Sequence, residues 1–519
     1  MPHLAGIDFA VIGAYFTVTA LIGAWAARAK TTSEELFLAG RTLGPVVIGF
    51  SLYAANVSSD TLIGLPGAAY ATGISVANYE WMAGLVLIFT AVFVLPVILR
   101  ARVTTMPELM ERRFDARLRK YLSAVTLFLS VVLDTASSLY AGSIVVLTFV
   151  PGLSLWQMTA AVAAFTAVYT AVGGLRAVVY TDVMQTLVLL GGSIALAVLV
   201  FGHFDYSWTQ VRSAVDPAKL RLLEPLSTSG VPWLGTLIGL PVAGFYYWTM
   251  NQYVIQRQLG ARDLPAAGRA AVIAGGLKLL NLFFMVLPGA MAIVLLPHLA
   301  HPDSVYPEMV ARFTPAGLTG LIIAGLLAAL MSSVSAILNS AATLVTVDFI
   351  QPRWPQLTSR QLVRIGRLLT FGIAILAAVW APMIRDFHGL FAYMQQLFGY
   401  VASPLVAVFL LGLWDRQLGA RAAFRGLVSG HIFSALLFAG RQLGWIPINF
   451  TIIAGVVCGA TAVFTIGWKL WLGDADRPRP EDARIAVIAR EGLPRVPRDV
   501  VVGAIVIVIL TAGLLVAFR

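Results

Sequence analysis

Apolar residues in this chain run in long blocks separated by short polar gaps. Fourteen blocks read as helices, at roughly 6–28, 44–72, 76–100, 118–150, 155–172, 178–203, 232–256, 267–299, 315–349, 361–384, 387–413, 420–440, 448–472 and 500–518. Crossing a bilayer takes about 20 predominantly apolar residues. The pattern therefore predicts an all-α polytopic membrane protein with about 14 transmembrane helices. The longest hydrophilic stretch, about 473–499, is a Pro/Arg-rich loop, so residues 1–519 form a single transmembrane unit with no separate soluble domain.

Two blocks carry breaks. The second, GPVVIGFSLYAANVSSDTLIGLPGAAYATG, has a polar centre (Asn56, Ser58, Ser59, Asp60, Thr61) followed by Gly64, Pro66 and Gly67. The seventh, PWLGTLIGLPVAGFYYWTMNQYVIQ, has Gly239, Pro241 and Gly244 at a comparable depth. Unwound backbone is tolerated at membrane depth only where it lines a cavity or is buried in protein. Two discontinuous helices five blocks apart point to two five-helix halves, an inverted-repeat secondary transporter with its site near the midplane.

Composition sharpens this reading. Apolar residues make up 59% and charged residues 12%, with a mean hydropathy of +0.85. Soluble domains carry about 25% charged residues, and disordered chains are polar rather than apolar. An ordinary soluble enzyme and a disordered chain are both excluded. The single cysteine, Cys458, allows neither an internal disulfide nor a thiolate zinc cluster; in its apolar run it reads as packing.

The net charge of +11 would suggest nucleic acid in a soluble protein. Here, however, 28 of the 36 Lys and Arg residues fall in alternate gaps between blocks, among them Arg28, Lys30, Arg176, Arg257 and seven from Arg100 to Lys120. The positive-inside rule places those gaps in the cytoplasm and both termini outside it. The charge reads as an orientation signal in the cell (inner) membrane, with no nucleic-acid partner. The N-terminal MPHLAGIDFA lacks a basic n-region, so the first helix is expected to remain in the mature protein.

Ionisable groups inside apolar runs are costly and usually functional. They are Asp60, Glu80, Asp134, Asp182 and Lys278; no arginine falls in the middle of such a run. Two readings stand for Glu80 and Lys278: a structural ion pair, or polar groups of a binding site. Asp182 is either a functional carboxylate or a residue at a helix start near the interface, and Asp60 satisfies local backbone at the break. The ninth block, LLAALMSSVSAILNSAATLVTVDF, sets Ser332, Ser333, Ser335 and Asn339 along a turn or two of helix. Such hydroxyls can mark close helix packing. Hard cations take oxygen ligands, and the break at Ala54–Val57 offers free carbonyls, so the two segments together suit a sodium ion.

The segments AANVSSDTLIGLPGAAYATGISVANYEWM, AVGGLRAVVYTDVMQTLVLLGG, FYYWTMNQYVIQRQLGARDL and MSSVSAILNSAATLVTVDF resemble the sodium:solute symporter family, in its sodium/glucose cotransporter-like branch, over about residues 44–430. The resemblance implies a LeuT-type 5+5 inverted repeat that couples inward sodium flow to solute uptake. It divides the chain into an extra helix at 6–28, repeats at 44–203 and 232–413, and extra helices at 420–518.

Position by position, it implies a sodium site from the carbonyls of Ala54, Val57 and Ala329 and the hydroxyls of Ser332 and Ser333. A second sodium site, present in some members, would use Asp182, Ser332 and Ser335, so the coupling stoichiometry is one or two Na+; Ala336 stands where those members often place another hydroxyl. The matching solute positions are Asn56, Glu80, Lys278 and Gln395, with Tyr247 as a ring-stacking inner gate beside Trp248. Leu65, Tyr79 and Phe391 fall at the outer gate. Thr61 replaces a histidine or glutamine of sugar-carrying members, Ala83 and Gly244 replace other polar contacts, and Asp134 stands where a neutral or basic residue is usual.

The resulting expectation is a sodium-coupled importer of a small neutral hydroxylated solute, a sugar or polyol, embedded in the lipid bilayer. Asn56, Glu80, Lys278 and Gln395 supply the donors and acceptors that hydroxyls need. The alternative is a cationic or zwitterionic solute held by Asp134. A polytopic membrane transferase is remote: five of the six histidines map to outer-side ends or loops, His431 is alone in an apolar block, and no pair has metal-ligand spacing.

Overall fold

The computed structural model describes residues 4–26, 41–101, 103, 105–149, 152–170, 175–387, 389–476 and 496–519. Arg28, Lys30 and most of the 473–499 loop lie outside these residues, as does the side chain of Arg176. The described chain is helical apart from two isolated bridges, Leu43 to Ala261 and Glu224 to Pro232.

In chain order the helices are α1 (Gly6–Ala26), α2 (Pro45–Asn56), α3 (Ser59–Thr72), α4 (Ile74–Ala101), α5 (Met106–Arg113), α6 (Ala116–Phe149), α7 (Leu155–Thr170), α8 (Leu175–Gly202) and α9 (Trp208–Ala214). They continue as α10 (Trp233–Ile238), α11 (Leu240–Phe245), α12 (Gln252–Leu259), α13 (Leu264–Leu295), α14 (Val305–Phe313) and α15 (Leu318–Arg353). The last five are α16 (Ser359–Trp380), α17 (Leu390–Trp414), α18 (Ala420–Gln442), α19 (Phe450–Leu472) and α20 (Arg498–Ala517). Among the described residues, ten helices are long and apolar enough to cross a membrane, and eleven when α2 and α3 count as one bent span. Two shorter apolar stretches lie in α1 and α7.

The break in the second block falls where the polar centre placed it. The Val57 amide reaches back to Tyr53 O at 2.8 Å, Val57 itself leaves helical geometry with φ −83° and ψ 65°, and α3 departs at 57° to α2. A helix leaves its last carbonyls without intrahelical amides; at the end of α2, Ala55 O takes the Tyr247 hydroxyl at 3.1 Å. Pro66 is carried inside α3. Gly64 and Gly67 serve packing: a Cβ on Gly67 would meet Pro302 O at 2.7 Å, and one on Gly64 would meet Phe391 at 3.3 Å.

The seventh block breaks later than its Gly239–Pro241–Gly244 pattern predicts. At Gly239 the chain only steps from α10 to α11 in near-helical geometry, with φ −97° and ψ −47°. Pro241 lies in the first turn of α11, where a missing amide costs nothing. The glycines are used instead for close approach, because a Cβ on Gly239 would fall 1.7 Å from the Thr451 carbonyl of α19. The interruption comes after the wide turn Tyr246–Met250, at Asn251, whose ψ of 120° is extended.

Around these breaks, α13 packs on α2 and α4, and α8 on α2 and α15, while α12 reaches α2 and α15 and α3 lies between α13, α17 and α6. The first helix is tied to this core by a buried cap. Asp8, 2% exposed, accepts from the amides of Gly317 at 2.7 Å and Gly320 at 2.8 Å at the start of α15. Losing a capping carboxylate costs about 1–2 kcal/mol. Asp8→Ala is accordingly expected to lower the thermal unfolding midpoint in detergent, measured on the purified protein, without changing solute affinity.

Candidate functional site

On one side of the α2–α3 break, α4 and α13 bring Glu80 and Lys278 together. The Lys278 ammonium donates to Glu80 Oε2 at 2.7 Å, and both side chains are almost fully excluded from solvent. Asn281, one turn beyond Lys278, donates to the same carboxylate oxygen, and its own Oδ1 accepts from the Tyr53 hydroxyl at 2.6 Å. The ammonium also stands 5.4 Å from the Trp248 ring centroid and 5.6 Å from that of Tyr53. A buried charge needs this many partners, since an unpaired one is costly.

Tyr247 lies edge-on to Trp248 with centroids 5.0 Å apart and also meets Phe398 at 5.8 Å. Its hydroxyl pairs with that of Tyr253 at 2.9 Å. Tyr247 is thus tied to the end of α2 through Ala55 O. Asn56 Oδ1 is buried there with no partner among the described residues. The Thr61 hydroxyl, by contrast, is taken up by Asn56 O across the break, and Gln395 sits half-buried on α17. Leu65 is fully buried, and Tyr79 and Phe391 meet edge to face at 5.1 Å and line a cavity of 60 Å³.

Ala54 and Val57, at the end of α2, and Ala329, Ser332 and Ser333, on α15, are all buried. Asp182 on α8 contacts one of them, Ser332. Its Oδ1 accepts from Ser332 Oγ at 2.6 Å, and its Oδ2 accepts from Ser51 Oγ at 2.8 Å and from the Arg257 guanidinium at 3.2 Å. Arg257 Nε also donates to Ser51 Oγ at 2.9 Å, and Arg257 Nη1 donates to Tyr253 O at 2.5 Å. Asp182 and Ser332, two of the three residues of the second sodium set, are therefore in contact. Ser335 is buried on the same helix.

Arg257 is one residue that sequence reasoning missed. It was counted among loop cations, yet it is 2% exposed. The available signal was Asn251: once α12 begins at Gln252, Tyr253 and Arg257 share one face at i and i+4. Asn281 and Tyr53 were missed for a similar reason, being one turn from Lys278 and Asn56 respectively. Arg257→Gln leaves Asp182 buried without its counter-ion, which costs about 3–5 kcal/mol. A large fall in unfolding midpoint is expected, reversed in part by adding Asp182→Asn; equal midpoints for Arg257→Gln and the double variant would show that no charge pairing operates there.

His431 is occupied structurally, with Nδ1 3.1 Å from the Tyr121 hydroxyl and Nε2 3.0 Å from Val401 O. Among the described residues no group of three His, Cys, Asp or Glu side chains could hold a metal ion.

The profile of the sodium:solute symporter family matches residues 36–430. The chain belongs to this family. It is 35% identical over 465 residues to a sodium/glucose cotransporter of Vibrio parahaemolyticus, covering 84% of this chain and 85% of that one. It is 34% identical over 462 residues to sodium/myo-inositol cotransporter 2 of Mus musculus, covering 82% and 68%. In structure it resembles a Na+-coupled sialic acid symporter in a substrate-bound outward-open state, with TM-score 0.76 at 22% identity over 90% of this chain and 98% of that chain; that likeness concerns the fold alone. As a member of the family, the chain is a sodium-coupled multi-pass membrane transporter and not an enzyme, and sodium is its coupling ion.

Proposed function

We propose that the chain imports a small hydroxylated solute, a sugar or polyol, together with sodium by alternating access. The observation that carries this is the buried Lys278–Glu80–Asn281–Tyr53 network beside Trp248 and Asn56. It presents an ammonium, a carboxylate and amides with no net charge, which suits hydroxyls, since these donate and accept at once. Relatives named for glucose and myo-inositol transport point the same way. Asn56, Thr61, Glu80, Tyr247, Trp248, Lys278 and Gln395 form the solute site in this reading. Thr61 contributes through the backbone of the break, and Leu65, Tyr79, Phe391 and Tyr247 act as the gates.

The sodium site in this reading comprises the Ala54, Val57 and Ala329 carbonyls and the Ser332 and Ser333 hydroxyls. Asp182, Ser332 and Ser335 form a second site, open once Asp182 gives up its hydrogen bond from Ser332. Fourteen spans follow if α1, α7 and the broken α10–α12 each cross the bilayer along with the eleven counted above. The repeats are 44–203 and 232–413, the flanking helices 6–28 and 420–518. Cytoplasmic Lys and Arg loops set both termini outside the cytoplasm of the inner membrane.

Uptake by proteoliposomes across sugars, polyols, amino acids and carboxylates tests the reading. Sodium-driven uptake confined to sugars or polyols is expected; sodium-driven uptake of carboxylates alone would refute it.

A further inference from the structure

Three of the five ionisable groups expected inside apolar runs have a counter-charge: Glu80 and Lys278 pair with each other, and Asp182 pairs with Arg257. Asp60 lies in the first turn of α3, where the helix dipole favours a carboxylate. Asp134, 3% exposed on α6, has neither form of compensation. Its only hydrogen bond among the described residues is from the neutral amide of Asn251, at 3.4 Å, and no Lys or Arg among them pairs with it.

What surrounds Asp134 is unusual for an idle carboxylate. Tyr246, Tyr247, Tyr253 and Tyr393 all stand within electrostatic reach of it. Asn251 fixes the wide turn by donating its amide to Tyr246 O at 2.8 Å, and the Tyr393 hydroxyl donates to Val132 O, two residues before Asp134, at 2.5 Å. Among the described residues, several oxygens near the break are buried without partners. Ser137 Oγ lies three residues along from Asp134 and so on the same face of α6, while Asn56 Oδ1 and Asp60 Oδ1 belong to the break. The Asn56 amide oxygen accepts only, the Asp60 carboxylate accepts when ionised, and the Ser137 hydroxyl accepts as well as donates. A ligand that satisfies them brings hydrogen-bond donors, and one that also balances Asp134 brings positive charge. An ammonium does both, having three donors and no acceptor, and tyrosine rings favour a cation at their faces.

We propose that the transported solute carries a protonated amine beside its hydroxyls, an amino sugar or aminocyclitol, and that Asp134 receives the amine. This rests on the sugar or polyol reading above and narrows it. The hydroxyls engage the neutral Glu80–Lys278 network, and the amine replaces the counter-charge that Asp134 lacks. Each transport cycle then moves one more positive charge than it would with a neutral sugar.

Matched pairs test this in proteoliposomes with a sodium gradient: glucosamine against glucose, and an aminocyclitol against myo-inositol. The amino member of at least one pair is expected to bind about tenfold more tightly or better, with a charge-to-solute ratio one higher. In Asp134→Asn the preference should vanish, and Asp134→Glu should restore part of it. Sodium-dependent thermal stabilisation of each variant reports whether it is folded. Equal or tighter binding of the neutral member would overturn the proposal, as would a preference that survives Asp134→Asn. Proton influx accompanying a neutral sugar and lost in Asp134→Asn would also overturn it, since Asp134 would then carry the proton. Sodium-driven uptake of neutral sugars without amine preference leaves the sugar reading standing; sodium-driven uptake of neither member removes that reading itself.

Discussion

Lys278→Ala is expected to abolish sodium-driven solute uptake and to lower the free energy of unfolding by about 3–5 kcal/mol. Lys278 has no exposed surface and its ammonium is 2.7 Å from Glu80 Oε2. Removing it leaves a buried carboxylate held only by the Asn281 amide, together with a void beside Trp248 and Tyr53. Glu80→Gln strands the ammonium in the same way. The double variant Glu80→Gln with Lys278→Met removes both charges, so it should regain much of the lost stability, because replacing a buried pair with neutral groups of similar volume is often tolerated. It should not regain uptake, because the groups that recognise hydroxyls are gone. Thermal unfolding and uptake measured on the three variants check this. Recovery of uptake in the double variant would reduce the pair to a structural role.

Replacing Ser332 and Ser333 together with Ala is the second large effect. Moving one sodium through about 100 mV supplies about 2.3 kcal/mol, and a tenfold sodium gradient adds about 1.4 kcal/mol. One coupled ion therefore supports a solute accumulation of a few hundred-fold or about that. Deleting two hydroxyls from buried, closely packed positions on α15 changes helix packing little. It removes two oxygens from the proposed cage and the donor to Asp182 Oδ1. Accumulation should fall to simple equilibration. Sodium should also cease to stabilise the protein, whereas in the wild type a ligand at 100 times its Kd stabilises by about 2.7 kcal/mol. Titrating sodium chloride against choline chloride in thermal unfolding separates loss of the ion site from misfolding. Intact sodium stabilisation in the double variant would place the ion elsewhere.

The helix pattern was legible because a bilayer-spanning helix writes its length directly as an apolar run. The polar Asn56–Thr61 centre also located the break near Val57, since no lipid-facing helix tolerates that many polar side chains. The second break was misplaced for an instructive reason. Gly239, Pro241 and Gly244 look like helix breakers, but Pro241 sits where a helix accepts proline, and Gly239 makes room for α19 at Thr451. The real interruption, at Asn251, is a single residue with extended ψ inside an otherwise ordinary segment.

Lys278 and Glu80 could be paired from sequence because each is a lone charge in an apolar run. Arg257 could not be, because a charge at the end of a hydrophobic block reads as a loop cation until the fold turns it inward. Asp134 stood out in the sequence as a departure from the family pattern. That no Lys or Arg among the described residues pairs with it emerges only when the partners of the other described buried charges are known.

Solute-driven sodium movement tests the central claim most directly. Proteoliposomes holding the protein with equal sodium on both sides are given an inward gradient of the transported solute, and radioactive sodium entry is followed at zero membrane potential. The account predicts that sodium enters against no gradient of its own only when that solute is present, and that the Ser332→Ala, Ser333→Ala variant shows none. Solute entry with no accompanying sodium, or the same sodium entry in the variant, would contradict it.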